Sequence, residues 1–132
     1  MYQTRVHASE VFHELSCRYL STHSATKFLD GQGRVLGGAI LGSAEIIKEV
    51  RTFCRQTGPS MSPFNAWILS KSMETLHVRM DRHCENALAL AQWLETQEEV
   101  KKTIYPFLPS HPQYELAKKQ MKQGGGVVTF EV

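Results

Sequence analysis

The amino-acid sequence predicts an α/β fold, and three observations carry the prediction. Three short segments read as strands: an apolar run with a glycine pair at residues 35–41, residues 102–105 ended by Pro106, and an alternating segment at 127–132 after three glycines. Between them lie stretches in which apolar residues recur every three or four positions, as in a helix with one core-facing side. The resulting order is strand, helix, long helix, strand, helix, strand, so the two element types are interleaved along the chain.

Each element has a local reason. Residues 35–41 are apolar around a glycine pair, Gly37 and Gly38, and read most simply as a buried strand whose backbone can come close to a neighbour. Ser43 is a good N-cap for a helix whose apolar side is Ile46, Ile47, Val50, Phe53 and Cys54. Gly58 and Pro59 stop it. Ser62 and Pro63 then supply an N-cap and a first helical residue. No glycine or proline follows until residue 106. Within that stretch Leu69, Met73, Leu76, Met80, Cys84, Ala87, Ala91 and Leu94 form a core-facing seam, on one long helix or on two with a break near Thr75. Trp67 and Trp93 are expected as packing residues. Residues 102–105 read as a strand ended by Pro106, and Pro112 opens a helix with Tyr114, Ala117 and Met121 on its apolar side. Gly124, Gly125 and Gly126 break it as a flexible turn, and Val128, Phe130 and Val132 alternate with Val127, Thr129 and Glu131 in a final strand. Residues 1–21 are the least readable. Val11, Phe12, Leu15 and Tyr19 have a helix-like spacing.

Composition excludes several classes of function. The chain has 132 residues, 42% of them hydrophobic, which is enough for one globular domain. Its 15 basic and 13 acidic residues are interspersed and give a net charge of +2, so no nucleic-acid partner is expected. The densest basic cluster, Lys118, Lys119 and Lys122, reads as a solvated helix face. Cys17, Cys54 and Cys84 are odd in number and far apart, which fits reduced thiols in a cytoplasmic protein. His77 with Asp81, or His83 with Cys84, lacks a third ligand at suitable spacing, so no metal is expected. No run approaches the ~18 apolar residues needed to cross a bilayer, and there is no signal-peptide pattern. A membrane partner is not expected.

One stretch carries chemistry. Ser24-Ala25-Thr26-Lys27 sets a primary amine directly after two small hydroxyl residues and is followed by Gly31-Gln32-Gly33-Arg34 and the Gly37-Gly38 pair. An amine can form an imine with an aldehyde, and hydroxyls can bind a phosphate at the other end of the same molecule. A Ser-x-Thr-Lys tetrapeptide alone is a weak signal, and most are turns with a solvated lysine.

The stretch from His23 to Gly38 resembles the cofactor-lysine segment of the Cys/Met-metabolism family of pyridoxal-phosphate enzymes, which includes cystathionine synthases and lyases and homoserine-ester sulfhydrylases. The likeness continues in order through Gly58-Pro59-Ser60-Met61-Ser62-Pro63-Phe64-Asn65-Ala66-Trp67, Met73-Glu74-Thr75-Leu76, residues 87–94, Tyr105-Pro106, Leu108-Pro109-Ser110-His111-Pro112 and residues 124–132. Within the family, Gly31-Gln32-Gly33-Arg34 is most similar to the O-succinylhomoserine sulfhydrylases; cystathionine γ-synthases more often carry Gly-His-Ser-Asp there.

The resemblance implies a partial fold-type I, aminotransferase-like architecture. Residues 22–74 would form the end of the large cofactor domain and 75–132 the start of the small C-terminal domain, with 1–21 unassigned. It implies pyridoxal 5'-phosphate as cofactor, with Lys27 as the catalytic lysine and Ser24 and Thr26 hydrogen-bonding the phosphate. Burial beside the cationic cofactor would lower the Lys27 pKa towards neutrality. The implied reaction is γ-replacement, in which a homoserine ester and sulfide give homocysteine and succinate, carried out by a homo-oligomer. A cystathionine γ-synthase or γ-lyase is the enzyme alternative. A truncated, inactive product that associates with full-length subunits is the other. The family's aspartate upstream of the lysine, which pairs with the pyridine nitrogen, has no match: no aspartate precedes Asp30, and Glu10 and Glu14 are the acids available.

Overall fold

The computed structural model describes residues 20–132. The spacing of Val11, Phe12, Leu15 and Tyr19, the acids Glu10 and Glu14, and Cys17 lie outside the described residues. The chain divides into two compact units, one ending at Leu76 and the other covering His77–Val132.

In the first unit, strand β1 (Ser21–Ser24) runs into an irregular turn, Ala25–Leu29, and returns as β2 (Gly38–Leu41). The two strands pair antiparallel, with Ser21 opposite Leu41 and Ser24 opposite Gly38. The apolar run at 35–41 is therefore a strand only in its second half, and its residues alternate between exposed and half-buried. A sheet of two strands with a single partner on one side cannot bury both faces. Helix α1 (Ala44–Thr57) starts where the sequence indicates, with the Ser43 hydroxyl accepting from the Ile46 N–H, and ends at Gly58. Gly58 has φ of 88° and donates its N–H to the Cys54 carbonyl, a left-handed cap that favours glycine. Helix α2 (Pro63–Met73) starts with the Ser62 hydroxyl accepting from Asn65 N–H. A core of Ala25, Val35 and Leu69 is flanked by Leu29 and Ile68.

The seam from Leu69 to Leu94 lies on two helices. Helix α3 (Leu76–Leu94) is separated from α2 by Glu74 and Thr75, whose N–H groups bond three residues back, to Lys71 and Ser72, and so tighten the end of α2. Cys84, Ala87, Ala91 and Leu94 are buried as the spacing predicts. Trp67 and Trp93 are not packing residues: they are 59% and 56% exposed. Each lies off the buried positions of its own helix, Leu69 and Ser72 in one case and Ala91 and Leu94 in the other.

The second unit adds β3 (Lys102–Ile104), α4 (Tyr114–Gln120) and β4 (Thr129–Glu131). Helix α4 begins at Tyr114, with Gln113 as its N-cap and Pro112 in the turn before it. Strand β4 is shorter than the pattern at 127–132 suggests and is exposed throughout, but it has a partner: β3 pairs with it antiparallel, Lys102 opposite Glu131 and Ile104 opposite Thr129. Ala87, Ala91, Tyr105 and Leu108 make the core, with Leu88, Phe107 and Val128 against it.

Tyr105 is fully buried, and its hydroxyl donates to the Gly125 carbonyl at 2.8 Å. The glycine turn approaches the ring so closely that a Cβ on Gly124 would stand 2.6 Å from Tyr105 Cζ. A ring held inside the core and by its hydroxyl has little room to yield. Gly124→Ala should therefore destabilise the protein by about 1–3 kcal/mol, the usual cost of overpacking. Urea unfolding followed by circular dichroism checks this, and an unchanged midpoint would contradict the packing described.

Candidate active site

Lys27 sits in the turn Ala25–Leu29, where its backbone (φ −86°, ψ −116°) departs from helical geometry. Two sets of hydrogen bonds fix that turn. On its N-terminal side the Gly37 carbonyl accepts from Ala25 N–H at 2.8 Å and from Thr26 N–H at 3.3 Å. The Thr26 hydroxyl accepts from Gly37 N–H at 3.1 Å and donates to Gly37 carbonyl at 3.4 Å. Gly37 can take this position because it lacks a side chain: a Cβ there would lie 2.8 Å from Leu69 Cδ1 and 2.9 Å from Met61 Cε. On its C-terminal side Asp30 N–H donates to the Ala25 carbonyl at 2.9 Å and Gly31 N–H to the Lys27 carbonyl at 2.7 Å.

The second set depends on Asp30, which is 1% exposed. Its Oδ2 accepts from Arg34 N–H at 2.6 Å, and its Oδ1 from Arg34 Nε and the Ser72 hydroxyl, each at 3.1 Å; the single Ser72 proton is shared between that oxygen and the Ile68 carbonyl at 2.8 Å. Arg34 Nη2 lies 3.1 Å from the same Oδ1 and donates to Ser72 Oγ at 2.6 Å. Asp30 thereby closes the loop of Gly31 and Gly33, whose φ values of 73° and 67° favour glycine, and ties it to α2. The Arg34 backbone N–H, more than any other group, holds the Asp30 carboxyl below the usual carboxylate range; burial opposes it, and Ser72 and the Arg34 side chain assist.

Of the three residues the sequence marks, the structure places all on one short segment with different partners. Lys27 is exposed, not buried, and its amine has no ion pair among the described residues. Ser24 is exposed, and its hydroxyl caps nothing. Thr26 is half-buried and engaged with the Gly37 peptide. Asp30, Arg34 and Ser72 were not singled out by sequence as a group. The one local signal was an acid and a base four residues apart across two glycines; Ser72 lies 42 residues from Asp30.

An aldehyde-bearing phosphate ester suits this donor set at two of its ends. An exposed amine fits the aldehyde, and the Ser24 hydroxyl, which makes no hydrogen bond among the described residues, fits the phosphate. Thr26 has a single hydroxyl proton, so it can serve a phosphate only by releasing the long 3.4 Å bond to Gly37. Asp30, the buried carboxylate among the described residues, is saturated by Arg34 and Ser72 and does not fit a pyridine nitrogen.

Comparison with known proteins points the same way. The model of the Cys/Met metabolism PLP-dependent enzyme family matches residues 18–132. An O-succinylhomoserine sulfhydrylase of Pseudomonas aeruginosa is 54% identical over 110 residues, which cover 83% of this chain and 27% of that protein. An L-methionine gamma-lyase of Porphyromonas gingivalis is 48% identical over 112 residues, covering 83% of this chain and 28% of the relative. Among solved structures, one described as the crystal structure of metB from Corynebacterium glutamicum superposes with a TM-score of 0.80 at 38% identity, over 85% of this chain and 29% of that one. The chain thus spans about a quarter of the length of the curated relatives it matches.

The depressed Asp30 carboxyl has a consequence for stability. Its native pKa lies below its unfolded one, so its contribution is complete above the unfolded value of about 3.9 and is lost as pH falls through the lower native value. Asp30→Asn should lower the urea midpoint at neutral pH, and the gap from wild type should close as pH is taken down to about 2. A gap that stays constant over that range would contradict the ionised, hydrogen-bonded carboxylate.

Proposed function

The chain belongs to the Cys/Met-metabolism family of pyridoxal-phosphate-dependent enzymes, and from that premise we propose that it carries the cofactor lysine of an O-succinylhomoserine sulfhydrylase, with Lys27 as that lysine. The observation that carries the reading is the Lys27 amine, exposed and without an ion pair among the described residues, two residues from hydrogen-bonded Ala25 and three from the Ser24 hydroxyl, which makes no hydrogen bond among the described residues. Identity of 54% to sulfhydrylases supports the choice of branch. In this reading residues 22–74 belong to the end of the large cofactor domain and 75–132 to the start of the C-terminal domain, a division within two residues of the boundary between the two compact units.

Ser24 would hold the phosphate, joined by Thr26 once its proton turns from Gly37. When bound, the pyridoxal ring supplies an electron sink that stabilises negative charge on the substrate carbon next to the amine. Lys27 Nζ would hold the aldehyde end of the group and, as a free amine, would take and return a proton. The backbone bonds at Gly37 and Gly31 fix the main chain on both sides of Lys27, which would limit where that nitrogen can dwell. The substrates of this reading are a homoserine ester and sulfide, the product homocysteine, and the working form a homo-oligomer. The similarity to methionine gamma-lyase gives a second reading, elimination in place of replacement at the same lysine. Whether added sulfide ends up in the product separates the two. Free Cys54 and Cys84 suit a cytoplasmic setting, and among the described residues no helix is long and apolar enough to cross a membrane.

Incubation with pyridoxal phosphate, borohydride reduction and peptide mapping should place the label preferentially on Lys27, and Lys27→Ala should leave the slower background labelling of other exposed lysines. Label on Lys71 or Lys101 with Lys27 unmodified would overturn the assignment. Homocysteine formation from O-succinylhomoserine and sulfide by the 132-residue chain should be low, since no aspartate precedes Asp30 to keep a ring nitrogen protonated; robust turnover that depends on Lys27 would contradict this.

A further inference from the structure

Burying a carboxylate is costly unless each oxygen is satisfied. Asp30 is satisfied by joining two otherwise separate pieces: the Gly31–Gly33 loop, through Arg34, and α2, through Ser72. The loop it closes supplies the Gly31 N–H that holds the Lys27 carbonyl, and Asp30's own N–H holds the carbonyl of Ala25. Lys27 is therefore held from the α2 side by a buried charge, while the Gly37 peptide holds Ala25 and Thr26 on the other side. A lysine has four rotatable side-chain bonds, so where its amine dwells depends first on where its backbone is fixed.

We propose that Asp30, locked by Arg34 and Ser72, is a positioning residue for Lys27: it sets the backbone from which the amine reaches an aldehyde at this site. The proposal rests on the reading of Lys27 as the cofactor lysine. The step it assists is balanced without an oxidant. The Nζ lone pair adds to the aldehyde carbon, a C=N bond replaces C=O, and the aldehyde oxygen leaves as water with two protons from the amine. Asp30 touches neither reactant, so its effect is on geometry, and displacement of an amine by about 1 Å is enough to slow such a step on the order of a hundredfold.

The test is the rate of borohydride-trapped labelling of Lys27 by pyridoxal phosphate in the 132-residue chain, divided by the rate at Lys48, an exposed lysine of α1. Wild type should label Lys27 preferentially. Asp30→Asn should lower the Lys27:Lys48 ratio on the order of tenfold, and Ser72→Ala should lower it in the same direction. The double variant should fall little further than Asp30→Asn, because both act through one network. Ile46→Ala, a half-buried change on α1, is the control for lost stability and should leave the ratio unchanged. Circular dichroism identifies the folded fraction. If Asp30→Asn does not fold, Ser72→Ala, which removes a single hydroxyl, carries the test. Folded variants with the wild-type ratio would overturn the proposal, as would an equal fall in Ile46→Ala. Wild type showing no preference for Lys27 would overturn the Lys27 reading itself, and the proposal with it.

Discussion

The carboxylate of Asp30 is the constraint on which the arrangement around Lys27 depends. Its cost is desolvation, and its compensation is a set of donors from two directions, Arg34 along the chain and Ser72 across it. Removing one partner would strand a buried charge, which is why such networks are worth more intact than their separate bonds suggest. Arg34 keeps about 40% of its side chain in solvent while its partner Asp30 is shut away. The pair thus closes a glycine loop without requiring the arginine to be fully dehydrated. With the loop closed and Gly37 anchoring Ala25 and Thr26, the backbone on both sides of Lys27 is hydrogen-bonded while its amine remains open.

The second unit solves a similar problem with a ring. Tyr105 is buried against Ala87, Ala91 and Leu108 and reaches the backbone at Gly125 with its hydroxyl, so the glycine turn is fastened to the core. Among the described residues each unit buries a handful of side chains. Phe64 and Trp67 on α2, Trp93 on α3, and Phe130 in β4 remain more than half exposed. Two-stranded sheets and short helices offer too little surface to cover such groups, in a chain that spans about a quarter of the length of its relatives.

What was legible in the sequence was local. Ser43, Gly58 and Ser62 set helix ends through bonds to residues within four positions, and Pro63 through its fixed φ at the first helical position. The seam from Leu69 to Leu94 is legible because helical periodicity decides burial, and that periodicity allows one helix or two, of which the chain forms two with the break at Glu74 and Thr75. Gly37 was legible as a point of close approach, though what approaches is the side chains of Leu69 and Met61. Strand β1 was not legible: Ser21, Thr22, His23 and Ser24 have no apolar alternation, and only pairing with residues 38–41 makes them a strand. Trp67 and Trp93 depart from the packing that their size predicts because each lies off the buried side of its helix. The Asp30–Ser72 bond joins residues far apart in the chain, and no local pattern announces it. Lys27 stood out by resemblance; its partners emerged only from the fold.

Amide hydrogen exchange at single-residue resolution tests the central claim most directly, because the claim concerns bonds made by particular N–H groups. The N–H of Ala25, Gly31, Arg34 and Gly37, bonded to Gly37 carbonyl, Lys27 carbonyl, Asp30 and Thr26 respectively, should all exchange far more slowly than the same residues in an unfolded chain, and Asp30→Asn should release Gly31 and Arg34 before Gly37. Exchange of Gly31 and Arg34 at unprotected rates in the folded wild-type chain would contradict the account, since the loop next to Lys27 would then be open.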